Sequence, residues 1–137
     1  MLQAAPLMPT RVEPVPIKPR WAVVVAVNSR LRGSAPDPEA PADVPERTLV
    51  VDRDLTVGRP SAKRHFIPDL NMSPDTGTSH LQCRLTLDAQ GNLFVEDARS
   101  ANGTLVNGTV ITHATQVQDG DVVGVGAWTQ LVIKAAT

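Results

Sequence analysis

The chain has 137 residues, a formal net charge of −1 and 42% hydrophobic residues, enough for one domain with a core and little beyond it. Near-neutrality gives no global field toward nucleic acid or membrane, so any anion site must be local. The single cysteine, Cys83, cannot close an internal disulfide, and no apolar run nears the roughly 18 residues that cross a bilayer. A reducing, cytoplasmic setting without membrane insertion is the expectation; the apolar run at 21–27 is too short for a signal peptide.

Nine of the twelve prolines precede Glu46. Residues 1–19 hold Pro6, Pro9, Pro14, Pro16 and Pro19 among small and scattered charged residues. Proline removes a backbone donor and fixes φ, which predicts an extended, flexible tail. Trp21 to Val27 is a continuous, largely β-branched run, as for a strand covered on both faces. Residues 28–46, with Pro36, Pro38, Pro41 and Pro45, read as a long surface loop within a folded domain over 20–137.

From Arg47 the pattern is one of short strands. Thr48 to Val51 and Leu55 to Val57 flank a turn at Asp52-Arg53-Asp54. His80 to Leu87 alternates, with Leu81, Cys83, Leu85 and Leu87 on one face and His80, Gln82, Arg84 and Thr86 on the other. A turn at 88–92 leads to a partner strand at Leu93 to Glu96. Thr104 to Val106, Val110 to Thr112, Val122 to Val125 and Trp128 to Lys134 complete the set. No segment sustains a helical period. The expectation is all-β: a two-sheet antiparallel β-sandwich.

Loops at one end of a sandwich converge, and three of them carry polar groups suited to one another. Arg59 offers a planar fork of donors for phosphate oxygens. Ser79 offers a hydroxyl, and Asn102 an amide able to grip a peptide main chain from both its donor and acceptor sides. His80 follows Ser79. Ser100 and Ala101 share the third loop with Asn102 and are carried as contact candidates. Lys63 and Arg64, near His65, are candidates for a positive rim.

Gly58-Arg59, Ser79-His80-Leu81-Gln82, Asp97-Ala98-Arg99-Ser100-Ala101-Asn102-Gly103-Thr104, Asn107-Gly108 and Gly120-Asp121 follow in order. This series resembles the forkhead-associated (FHA) domain family over about residues 46–136. The resemblance implies a β-sandwich without catalytic activity or cofactor, binding phosphothreonine on partner proteins. Arg59 resembles the family arginine that contacts phosphate or peptide backbone, Ser79 the phosphate-binding serine, and Asn102 the asparagine that holds the peptide main chain. Gly58, Gly103 and Gly108 look structural, permitting turns. The implied partner is a phosphothreonine-containing protein, a Ser/Thr kinase or its substrate. It also implies selectivity three residues after the phosphothreonine; no pocket is assigned to it.

Two positions depart from the family pattern. His80 stands where arginine is frequent, and Gln82 where a bracing histidine is usual. A histidine beside phosphate loses charge above about pH 6.5, so affinity is expected to fall between pH 6 and 8 beyond what phosphate ionisation explains. An identical profile for His80→Arg would remove His80 from the site. Gln82 can still hydrogen-bond as a brace.

Other classes fit less well. Ser79, His80 and Asp75 are close in sequence, but adjacent residues of an extended segment point to opposite faces and no oxyanion-type loop accompanies them. His65, His80, Cys83 and His113 lack metal-ligand spacing. Four aromatics and a near-neutral charge disfavour nucleic acid. The sequons at Asn71, Asn102 and Asn107 read as chance, and Thr10, with Glu13 three residues on, is a candidate for docking in cis. The serious alternative is an FHA-fold scaffold that binds partners through a sheet face without phosphate.

Overall fold

The computed structural model describes residues 20–27, 45–73 and 75–136. The expected tail, 1–19, lies outside them, as does all of the expected 28–46 loop except Pro45 and Glu46. Every regular element among the described residues is a strand: β1 (Arg20–Val27), β2 (Arg47–Val51), β3 (Leu55–Gly58), β4 (Leu70–Asn71), β5 (Leu81–Leu87), β6 (Leu93–Asp97), β7 (Leu105–Val106), β8 (Thr109–Val110), β9 (Thr115–Val117), β10 (Val122–Val125) and β11 (Thr129–Ala136). They form two sheets, in the orders β2-β1-β11-β10-β7-β8 and β4-β3-β5-β6-β9. This is the expected β-sandwich. One pair departs from antiparallel order, since β4 runs parallel to β3 through Leu70 and Asn71.

Period-two alternation selects the core. Val23 and Val25 of β1, Leu131 and Ile133 of β11, and Val123 and Val125 of β10 face Val57, Cys83, Leu85, Leu93 and Val95 of the second sheet, all buried. Burying each such aliphatic side chain is worth about 1.5–3 kcal/mol before entropy is counted. The expectation that β1 is covered on both faces does not hold. Ala22, Val24 and Ala26 are only half-buried, because no described residue forms a third layer over that face. Its β-branched run instead suits a strand paired on both edges, by β2 and β11.

β4 and β9 are additional to the expected strands, and are too short for alternation to reveal. β5 departs from simple alternation at its first turn of pairing. Gly58 pairs with Leu81 while Val57 pairs with Cys83, so Gln82 is an extra residue, a β-bulge. The bulge turns Gln82 inward, where it is fully buried, although alternation puts it opposite Cys83. This register also brings three loops together. β3 ends and β5 begins at the Gly58–Leu81 pair, and β6 ends at Asp97, opposite Cys83.

At the opposite end of the sandwich, Trp21 in one sheet donates from Nε1 to the Gly91 carbonyl of the β5–β6 turn at 2.7 Å. Replacing Trp21 by Phe keeps much of the apolar contact and orphans that carbonyl. The expected loss is about 1–3 kcal/mol with an unchanged urea m-value. A loss below about 0.5 kcal/mol, the scatter of an ordinary surface change, would show that this bond does not join the sheets.

Candidate functional site

Gly58 sets the start of the site. A Cβ there would lie 1.8 Å from the His80 carbonyl oxygen, which accepts the Arg59 N–H at 3.0 Å. Close approach of two backbones, rather than a turn, requires this glycine. Asn107 and Gly108 have φ of 50° and 84°, the left-handed pair that closes the β7–β8 hairpin. Asn102-Gly103 lies in the loop between β6 and β7.

The three loops hold one another through the residues singled out from the sequence. Arg59 donates from Nε to the Thr78 carbonyl at 2.5 Å. Neither of its terminal nitrogens takes a partner among the described residues, so the outer fork is left for a ligand. Ser79 Oγ accepts the Ala101 N–H at 2.8 Å, which leaves its own hydrogen to donate. Asn102 donates from Nδ2 to the Gly77 carbonyl at 2.9 Å, with no partner for Oδ1 among the described residues. Arg59, Ser79 and His80 are half-buried, whereas Ala101 and Asn102 are exposed.

Other candidates are committed within the protein. The Ser100 hydroxyl donates to Asp97 Oδ1 and its N–H to Asp97 Oδ2, so Ser100 shapes the loop. The Ala101 N–H is taken by Ser79. His80 turns Nδ1 to within 3.2 Å of the Arg59 carbonyl. Lys63 and Arg64 are exposed on the turn that Ser61 and Phe66 close, just after Arg59.

Three buried or half-buried polar residues support these loops. Gln82 accepts the Ser79 N–H on Oε1 at 3.0 Å and donates from Nε2 to the Gly103 carbonyl at 2.9 Å and Thr104 Oγ1 at 3.1 Å. It is the brace between the second and third loops. Asp97 organises the third loop. Burial works against its charge, but hydrogen bonds from the Ser100 and Thr104 hydroxyls and the Ser100 and Arg99 N–H groups outweigh this, holding its carboxyl below the ordinary carboxylate range. Arg99 itself sits at φ 59°, an uncommon conformation for a non-glycine residue.

Asp75 is the third support, and sequence gave it no role beyond a weak catalytic reading. It is 1% exposed, yet its carboxylate accepts N–H groups from Gly77 (2.9 Å), Ala127 (3.0 Å) and Trp128 (2.8 Å) and the Thr129 hydroxyl (2.7 Å). It therefore ties the β4–β5 loop of one sheet to the β10–β11 turn of the other. With Asp75 so occupied and His80 turned to Arg59, the Ser79, His80 and Asp75 side chains form no relay. Among the described residues no three His, Cys, Asp or Glu side chains are grouped as a metal site would be.

The FHA domain family profile matches residues 55–126, from β3 through the site loops to the end of β10. The chain belongs to the FHA domain family, a class of phosphothreonine-dependent binding modules. Solved structures agree on the fold. The FHA domain of the CT664 protein from Chlamydia trachomatis is 18% identical with a TM-score of 0.64, covering 88% of this chain and 100% of its own. The FHA domain of an Arabidopsis thaliana hypothetical protein is 21% identical with a TM-score of 0.65, covering 88% of each chain. An FHA domain studied for phosphothreonine-dependent interactions is 22% identical with a TM-score of 0.60, covering 85% of this chain and 98% of its own. No match to the sequence is found among curated proteins.

Asp75→Asn puts an amide N–H₂ among N–H donors and removes the charge that strengthens those bonds. It should lower stability by about 1–3 kcal/mol, the cost of leaving buried donors unsatisfied; chemical denaturation measures it, and a near-neutral change would contradict the tie. Asp97 makes a pH-dependent contribution. Its depressed folded pKa means the folded state binds fewer protons, so the contribution is complete above the unfolded value and fades as pH falls through the folded one. The stability gap between wild type and Asp97→Asn should be full at neutral pH and shrink below about pH 4. Denaturation at pH 7 and pH 3 measures it, and a gap that widens in acid would contradict this assignment.

Proposed function

We propose that this chain is a non-catalytic adaptor that captures a phosphothreonine-bearing segment of a Ser/Thr kinase or of its substrate. The observation that carries this reading is the cross-linking of Arg59, Ser79 and Asn102. Each is held by a neighbouring loop and each keeps binding capacity in hand. The outer nitrogens of Arg59 and the Ser79 hydroxyl hydrogen take phosphate oxygens, and Asn102 takes the peptide main chain through Oδ1. Lys63 and Arg64 add positive potential at the rim. Membership of a family of binding modules supports a role in capture rather than turnover.

Residence in the cytoplasm belongs to the same proposal. Cys83 is buried, and its thiol is pushed up to about 12, mainly by burial and then by Asp97. Cell fractionation tests the location, and recovery of the chain in an oxidising compartment would overturn it.

The test is binding to an oriented phosphothreonine peptide library and its unphosphorylated twin. Wild type should require the phosphate, and Arg59→Ala should weaken binding by about tenfold to a hundredfold, the worth of charge-assisted hydrogen bonds. No phosphate-dependent binding by folded wild type would contradict the reading. One observation favours the scaffold as the second reading. The outer face of the first sheet aligns Val24, Val132 and Val122 across three strands, with Val50 67% exposed nearby. Partner binding that survives phosphatase treatment and is lost in Val50→Asp would move the function to that face.

A further inference from the structure

Asn102-Gly103 and Asn107-Gly108 each place an exposed asparagine directly before a glycine. An asparagine so placed can lose its side-chain amide without an enzyme. The main-chain nitrogen of the next residue attacks Cγ. The new N–Cγ bond closes a succinimide ring, the Cγ–Nδ2 bond breaks, and the nitrogen's proton leaves with the amide as ammonia. Water then opens the ring to aspartate or, at the other carbonyl, to isoaspartate, whose main chain runs through the former side chain. Glycine favours the attack because it has no Cβ to crowd the nitrogen and few limits on φ. Asn71 and Asn92 are followed by Met72 and Leu93, whose side chains obstruct it.

The structure separates the two asparagine–glycine pairs. The Asn107 amide is held at both ends: Nδ2 donates to Asp121 Oδ1 at 3.1 Å, and Oδ1 accepts the Val122 N–H at 2.9 Å. Its own N–H donates to the Val122 carbonyl at 2.8 Å, which locks it beside β10. Asn102 is held at one end only, by Nδ2 on the Gly77 carbonyl at 2.9 Å. Its Oδ1 and the Gly103 N–H take no partner among the described residues. Attack requires Cγ to swing onto the nitrogen. That motion breaks one side-chain hydrogen bond at Asn102 and two at Asn107.

We infer that Asn102 is a site of spontaneous deamidation, and that its conversion switches off ligand capture. Either product exchanges a neutral amide for a carboxylate. Nδ2 is lost, so the tie to the Gly77 carbonyl becomes a contact between two oxygens. The new charge lies beside Arg59 and Ser79, where it competes with a phosphate for the same donors. Isoaspartate also adds a carbon to the main chain of the loop that Ser79 Oγ holds through the Ala101 N–H. A ligand whose main chain donates to Oδ1 holds the Asn102 amide at both ends, as Asn107 is held. Occupied protein is therefore protected, and unoccupied protein ages. The effect on capture rests on the phosphothreonine reading, whereas the choice of Asn102 over Asn107 does not.

The test incubates the full chain at neutral pH alone, with the tightest phosphothreonine peptide from the library, and with its unphosphorylated twin. Peptide mass mapping follows conversion at each asparagine. Asn102 should convert about two- to tenfold faster than Asn107, the worth of the one hydrogen bond that separates them. The phosphorylated peptide should slow Asn102 by a similar factor and leave Asn107 unchanged. Asn102→Asp, verified as folded by a thermal melt, should bind that peptide at least about tenfold less tightly, since its carboxylate repels the phosphate. Aged wild type should lose binding capacity in step with conversion. Equal or faster conversion at Asn107, or converted protein that binds as the fresh chain does, would overturn the inference. Absence of phosphate-dependent binding by fresh wild type would overturn the phosphothreonine reading and the switch with it, the rates at the two asparagines still deciding the deamidation site.

Discussion

Four donors converge on the carboxylate of Asp75, and the geometry of the loop end depends on that convergence. A buried charge is tolerated only when its lone pairs are occupied. Here the occupants come from both sheets: Gly77 from the β4–β5 loop, Ala127 and Trp128 from the β10–β11 turn, and Thr129 from the start of β11. The same loop presents the Gly77 and Thr78 carbonyls, which receive Asn102 and Arg59. The constraint reaches the turn as well. A side chain at Gly126 would come within 2.4 Å of Thr78 Oγ1 and 2.7 Å of the Asp75 carboxylate, so that turn must approach the loop bare.

Above this anchor, the candidate binding groups are ordered before any ligand arrives. Gln82 fixes Ser79 to the loop of Gly103 and Thr104, and Asp97 fixes Ser100 and Thr104. The result is a set of donors and acceptors each used on one side and open on the other. Preorganisation of this kind cuts the ordering cost of binding, so a few hydrogen bonds to a phosphate suffice for useful affinity. A neutral amide at position 82 also makes that brace independent of proton uptake.

Much of this was legible in the chain. Alternation in Leu81 to Leu87 and Val122 to Val125, with turn residues about every ten positions, specified an all-β fold, and the ordered short motifs pointed to Arg59, Ser79 and Asn102. What escaped is physical in origin. Alternation assumes an unbroken ladder, so it placed Gln82 outward; the bulge opposite Gly58 turns it in. Asp75 two residues before a glycine reads as an ordinary turn, because its partners lie some fifty positions away, at 127–129. Two- and three-residue strands such as β4 and β9 have no periodicity to detect. Ser100 and Ala101 were carried as contacts because they flank Asn102; the Ser100 hydroxyl and both N–H groups have partners within the protein.

The central claim is that the ligand's phosphate enters among Arg59, Ser79 and Asn102. The most direct measurement is an NMR titration of the labelled chain with a phosphothreonine peptide, following the Arg59 Nε–H, the Ser79 and Ala101 amides and the Asn102 side-chain amide. The account predicts that these resonances move first and together, and that the unphosphorylated peptide leaves them in place. Shifts confined to Val24, Val50 and Val132 on the outer sheet face, with the loop resonances still, would contradict it.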